Sequence, residues 1–213
     1  MSRRGSIPLG FGGVLPFALR ALRALRCAGL VLCVAFAFPA GAGAEAGPLG
    51  SSRPRVGDKA PAFILKTVDK GDALALDRLV RTPQTQGVAL VFVSCKCPYV
   101  AQARQPLTEL FQRFGAKVGF VGVNANQNET VEEMKADAAH NFPFPILRDE
   151  GAKVADLFAA ERTPEVFLID GKGVIRYHGG ISDLGAALAD FAAGRAPTKP
   201  EAKAFGCTIK RKT

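Results

Sequence analysis

Six consecutive apolar residues, Val88-Ala89-Leu90-Val91-Phe92-Val93, run directly into Ser94-Cys95-Lys96-Cys97-Pro98. A continuous apolar run rich in β-branched residues suits a strand covered on both faces, as at the centre of a parallel sheet. Proline has no amide hydrogen to lose and fits the first position of a helix. Leu107, Leu110, Phe111 and Phe114 then recur on one helical face, which predicts a helix from Pro98 to about Phe114. A buried strand that becomes a helix at once calls for a right-handed crossover to a second parallel strand. Lys117 to Val123 has the pattern to supply it.

The remaining elements follow from local signals. Ala62-Phe63-Ile64-Leu65 reads as a short strand, Asp69-Lys70-Gly71-Asp72 as a turn, and Ala73 to Leu76 as the start of a second hairpin arm. Thr130 and Glu133 form a capping-box pair for a helix ending near His140. Phe144 to Leu147 is a short extended piece, and Gly151 to Ala160 a short helix. Val166 to Ile169 and Val174 to Tyr177 are strands joined by the turn Asp170-Gly171-Lys172-Gly173. Asp183 is placed to cap a last helix running to about Ala193. The order is a βαβ half followed by a ββα half. It defines an α/β fold, a thioredoxin-like three-layer sandwich with a central mixed sheet flanked by helices and an N-terminal hairpin extension.

The net charge of +9 is not spread over this domain. The first 44 residues hold five arginines and no acid, which leaves 23 basic and 19 acidic residues in the rest. That remainder, with several lysines in its tail, reads as a solvated surface and not as a nucleic-acid-binding patch. Arginines, an apolar run from Cys27 to Phe38 and the small-residue pattern Ala42-Gly43-Ala44 read as a signal peptide over residues 1–44. The alternative is an uncleaved anchor over Phe17 to Phe38. Residues 45–54 form a Gly/Pro/Ser linker, 55–196 the folded domain, and 197–213 a cysteine-bearing basic tail. The expected location is periplasmic or extracellular, with no stable membrane insertion after cleavage.

Signal removal takes Cys27 and Cys33 with it and leaves Cys95, Cys97 and Cys207. An odd number in an exported chain means a pair plus a free thiol, or a thiol that exchanges partners. Cys97 falls at or beside the N-cap of the helix opened by Pro98, where unpaired N–H groups and the helix dipole favour an anion. Thiols at such positions can have pKa values lowered to roughly 3.5–7.5, and the thiolate is the attacking species in exchange chemistry.

With Val56-Gly57-Asp58-Lys59-Ala60-Pro61-Ala62-Phe63, Cys97-Pro98-Tyr99-Val100, Arg162-Thr163-Pro164-Glu165-Val166-Phe167 and Phe205-Gly206-Cys207-Thr208-Ile209-Lys210, the domain resembles the redoxins of the alkyl hydroperoxide reductase/thiol-specific antioxidant superfamily, within it the peroxiredoxin-like family. The resemblance implies a thiol-based oxidoreductase or peroxide-linked antioxidant protein with Cys97 as its nucleophile. It implies a cis bond at Thr163-Pro164 that presents the Thr163 backbone to the Cys97 sulfur. Val100 stands where a thioredoxin has its second cysteine, and Val91 where it has a buried aspartate. The partner of Cys97 must therefore come from elsewhere, either Cys207 in the tail or Cys95.

The expected partners are a thiol- or disulfide-bearing protein or a small oxidant, together with an external reductant. No glycine-rich phosphate loop follows a strand, so no cofactor is expected. Two other readings stay open: soft-metal (copper) binding by Cys95 and Cys97, aided by Cys207 or His178, and a non-catalytic binding module. His140 and His178 lack ligand-like spacing and read as surface residues, so no metal site is assigned.

Overall fold

The computed structural model describes residues 53–212; the expected signal peptide lies outside them, as does most of the linker. The central strand of the domain, β3 (Gly87–Val93), is buried along its whole length. Alternate residues serve two cores, as the twofold side-chain period of a strand requires. Ala89, Val91 and Val93 point into one core, with Val100, Leu107, Leu184 and Leu188. Val88, Leu90 and Phe92 point into the other, with Leu76, Val80, Val154 and Phe158.

A hairpin of β1 (Ile64–Thr67) and β2 (Ala73–Ala75) leads into a one-turn helix, α1 (Leu76–Val80). Then come β3, α2 (Pro98–Phe114), β4 (Gly119–Asn124), α3 (Val131–Asn141), β5 (Ile146–Arg148) and α4 (Lys153–Leu157). After β6 (Arg162–Thr163), β7 (Glu165–Asp170) and β8 (Ile175–Gly179) form a second hairpin, followed by α5 (Leu184–Ala192) and a last strand, β9 (Cys207–Thr208). The seven-stranded sheet has the order β2-β1-β5-β4-β3-β7-β8. β3 is parallel to β4 and antiparallel to β7, and β1 joins by antiparallel pairing with β5. The sheet is mixed, and helices cover both faces.

The signals at Pro98 and Thr130 act as the sequence reading expects. Cys97 is the N-cap of α2 and Pro98 its first residue. Thr130 and Glu133 form the reciprocal capping box of α3, at 3.1 and 2.8 Å. Three expectations need correction. The second hairpin arm stops at Ala75, and Leu76 opens α1 in place of extending a strand. The helix expected over Gly151 to Ala160 is regular only over Lys153–Leu157, because Gly151, Ala152 and Ala159 all have positive φ; its N-terminus is tied by Asp149, which accepts from Val154 N at 3.0 Å and Ala155 N at 2.8 Å. Asp183 precedes α5 but makes no side-chain cap bond; its carboxylate pairs with Lys199 at 3.0 Å.

The tail is bound along its length. Pro200 O accepts from His178 N at 3.0 Å, and Ala202 N donates to His178 O at 2.9 Å. Gly179 of β8 has no room for a side chain, since a Cβ there would meet Ala202 O at 2.7 Å. Farther on, Ile209 is buried among the second core's side chains, a burial that contributes about 1.5–3 kcal/mol. Gln127 N donates to Lys210 O at 2.8 Å, and Arg211 reaches Asp156 at 2.6 Å. Cys207 lies between these two sets of anchors.

Candidate active site

Adjacent parallel strands end on the same side of a sheet, so the C-terminal ends of β3 and β4 place the 94–97 loop beside Asn124, Asn126 and Glu129. Cys97, at the end of that loop, is 2% exposed. Its Sγ lies 3.1 Å from the carbonyl oxygen of Thr163, to which Cys97 donates while it is a thiol and no longer donates once ionised. The Thr163-Pro164 bond is cis. Antiparallel pairing of β6 with β9 sets Thr163 opposite Cys207 and brings the Cys207 sulfur 2.6 Å from that of Cys97.

The two thiols of this pair are pushed in opposite directions. Burial pushes Cys97 up, but hydrogen bonding to the Cys207 thiol, the Thr163 side chain and the backbone N–H groups of Val100 and Cys207, taken together, outweighs it and holds the group below the ordinary thiol range. Thr163 Oγ1 is buried and has no hydrogen-bond partner, so it is free to turn toward the Cys97 sulfur. Cys207 is pushed up by burial, then by its hydrogen bond to Cys97 and by that residue's charge. Two such groups titrate as a pair, and the first proton to leave is favoured to come from Cys97.

Cys95 is held elsewhere. Its Sγ donates to Glu129 Oε2 at 2.8 Å, and burial, then the Glu129 hydrogen bond and charge, push it up to about 12. Glu129 is itself buried and accepts from five donors. These are Ser94 Oγ, Cys95 N at 3.1 Å, Cys95 Sγ, Lys96 N at 3.2 Å and Asn124 Nδ2 at 2.6 Å. Burial pushes its carboxyl up, but these donors, Cys95 first, hold it below the usual range. Glu129 thus fastens the Ser94-Cys95-Lys96 turn that leads into Cys97.

A second buried carboxylate holds the opposite loop. Glu165 Oε2 accepts from Glu161 N at 2.8 Å and Arg162 N at 2.9 Å, and Oε1 pairs with His178 Nε2 at 2.7 Å. His178 is therefore not a surface residue: its ring stacks on Phe167 at 4.4 Å, and its side chain is 13% exposed. His140 is exposed, as expected. Arg162 turns outward and donates to Gly206 O and Thr208 Oγ1 at 3.4 and 3.3 Å, which fastens the tail.

The structure thus brings Cys97, Cys207, Thr163 and Pro164 together and sets Cys95 against Glu129. Among the described residues no group of three or more His, Cys, Asp or Glu side chains is arranged to hold a metal ion. Glu129, Asn124, Asn126 and Glu165 escape the sequence reading. The polar run Asn124 to Asn128 after a buried strand, with Glu129 directly behind it, was the available signal for the first three, since parallel strands end on one side of their sheet. Glu165, beside a proline, carries no such signal.

A mixed sheet of this order, with a cysteine at the β3–α2 junction facing a cis-proline loop, defines a thioredoxin-like redoxin. The chain belongs to the AhpC/TSA family, whose family model matches residues 56–178. An uncharacterized conserved protein from Geobacillus kaustophilus is similar at 26% identity and a TM-score of 0.68, over 76% of this chain and 94% of that one. A hypothetical protein from Sinorhizobium meliloti 1021 is similar at 26% identity and 0.67, over 76% and 98%. A Chlorobium tepidum protein assigned as the thiol:disulfide interchange protein DsbE is 25% identical, with a TM-score of 0.51 over 59% and 84%. No curated protein sequence matches the chain.

Proposed function

We propose that this redoxin is an exported thiol–disulfide oxidoreductase in which Cys97 is the nucleophile and Cys207 the resolving thiol. The observation that carries the reading is the 2.6 Å approach of the two sulfurs, with Cys97 held below and Cys207 above the ordinary thiol range. The Cys97 thiolate attacks one sulfur of a substrate disulfide. That S–S bond breaks, the far half leaves as a thiolate, and Cys97 carries the near half in a mixed disulfide. Cys207 gives its proton to the departed thiolate and attacks the Cys97 sulfur, expelling the second half as a thiolate that takes its proton from water. One substrate disulfide becomes two thiols while Cys97 and Cys207 become a disulfide, which an external dithiol reduces again. The same thiolate could be oxidised by a peroxide to a sulfenic acid, which Cys207 would condense with, releasing water.

Cys95, hydrogen-bonded to Glu129 and pushed up to about 12, stays a thiol at neutral pH and has no part in this cycle. Export rests on the signal-like pattern of the first 44 residues. Alkylation of Cys97 across pH tests the nucleophile. The expected midpoint lies below the value of about 8.5 for a free cysteine, and a midpoint at or above it contradicts the assignment.

A further inference from the structure

We infer that the docked tail makes the site selective for low-molecular-weight disulfides, because the chain's own β9 occupies the backbone edge that an extended polypeptide substrate would need. The inference rests on the thiol–disulfide reading of Cys97 and Cys207 and adds its substrate class.

The tail itself demonstrates how a strand delivers a sulfur to Cys97. Pairing of Cys207 with Thr163, and of Thr208 with Arg162, brings the Cys207 sulfur to 2.6 Å. An extended chain that added itself by main-chain hydrogen bonds, as edge-strand binders do, would use the same edge of Thr163. That edge is filled. Gly206 lies flat on the Thr163-Pro164 peptide, so that a Cβ at 206 would stand 2.1 Å from Thr163 O and 2.7 Å from Thr163 C. Ile209 N donates to Glu161 O at 2.9 Å, Ile209 is buried, and Lys210 N donates to Asn126 Oδ1 at 2.9 Å. The strand is seated by both main chain and side chain, and a polypeptide must displace all of it.

A second way to the sulfurs remains open. A cavity of about 330 Å³ is lined by Cys97 and Cys207 together with Ser94, Asn126, Lys96, Lys210 and Glu129. Its size suits a small polar molecule, and with Lys96 already paired to Glu133 at 2.9 Å its lining sets Lys210 against Glu129. In the step written above, the substrate is then a small disulfide entering from this cavity. Cys97 takes one half, and Cys207, already seated, expels it without any movement of the tail.

The test separates access from chemistry. Full-length Cys207→Ser protein, which cannot resolve, is reacted with the small dianionic disulfide dithiobis(nitrobenzoate). In parallel it is reacted with an extended peptide whose one cysteine carries a thionitrobenzoate group. Both release the same chromophore when Cys97 attacks, and peptide mapping locates the adduct. The peptide should react at least about tenfold more slowly than the small disulfide, as expected where a seated strand must first open. Adding Gly206→Val, which removes the fit on Thr163, should erase most of that difference while changing the small-disulfide rate by less than about threefold. Ile209→Ala, which loosens the far anchor, should shift the ratio in the same direction. Equal rates for the two reagents in Cys207→Ser, or a ratio unmoved by both tail variants, would overturn the inference and leave Cys97 as the nucleophile. No adduct at Cys97 with either reagent would overturn the nucleophile assignment and the inference with it.

Discussion

Cys95 donates its thiol hydrogen to Glu129 Oε2 at 2.8 Å, while two residues later the sulfur of Cys97 faces Cys207 at 2.6 Å. Neighbouring cysteines on one short loop are thus biased in opposite directions. One is pinned as a thiol against a buried carboxylate, and the other is favoured as a thiolate at a helix N-cap.

Replacing Cys95 by serine keeps a donor for Glu129. The expected outcome is a Cys97 alkylation rate within about threefold of wild type and a stability change of no more than about 1 kcal/mol, the net worth of one hydrogen bond. A much larger loss of Cys97 reactivity would give Cys95 a direct part in the chemistry.

Glu129→Gln should be costlier. All five partners of Glu129 are donors, and an amide nitrogen can accept from none of them. Urea unfolding should show a loss of about 1–3 kcal/mol for the buried donors left unpaired. After burial, the hydrogen bond and charge of Glu129 are what push Cys95 upward, so Cys95 should alkylate faster in this variant at alkaline pH.

Glu165 confers a pH dependence of stability. Burial pushes its carboxyl up, but His178 and the N–H groups of Arg162 and Glu161 outweigh it and hold the group below the usual range. A carboxylate depressed in the folded state contributes its full stabilisation above the unfolded value of about 4.3 and loses it as pH falls through the folded value. Unfolding followed from pH 7 to pH 3 should therefore show a smaller acid-side decline in Glu165→Gln than in wild type.

Phe158 meets Phe63, Phe92 and Phe167 edge-on, with ring centroids 5.0 to 6.2 Å apart. Phe158→Ala should cost about 3–5 kcal/mol through the cavity it leaves. Measured by urea unfolding, it should exceed any single change in the Glu129 cluster.

Much of this architecture was legible in the chain. The apolar run Val88 to Val93, the Pro98 start, the Thr130 capping box and the Asp170-Gly171-Lys172-Gly173 turn are local, and each appears where the sequence puts it. The pattern around Cys97 also pointed to a thiol site. What escaped was set by tertiary packing. Helix α1 is a single turn, too short for a periodic signal. The role of Glu129 comes from four donors 33 to 35 residues away besides the nearby Asn124, and that of Glu165 from a loop and a neighbouring strand. The seat of the tail depends on Ile209 reaching a core built by residues far upstream. His178, lone in sequence, is defined only by Phe167 and Glu165 across the hairpin.

The central claim is that Cys97 and Cys207 form one working dithiol and Cys95 stands apart. Mild oxidation of the full chain followed by proteolytic mapping and mass spectrometry tests it directly. The predicted result is a Cys97–Cys207 disulfide with Cys95 recovered as a free thiol. A Cys95–Cys97 bridge, or Cys207 recovered unpaired while Cys97 is oxidised, would contradict it.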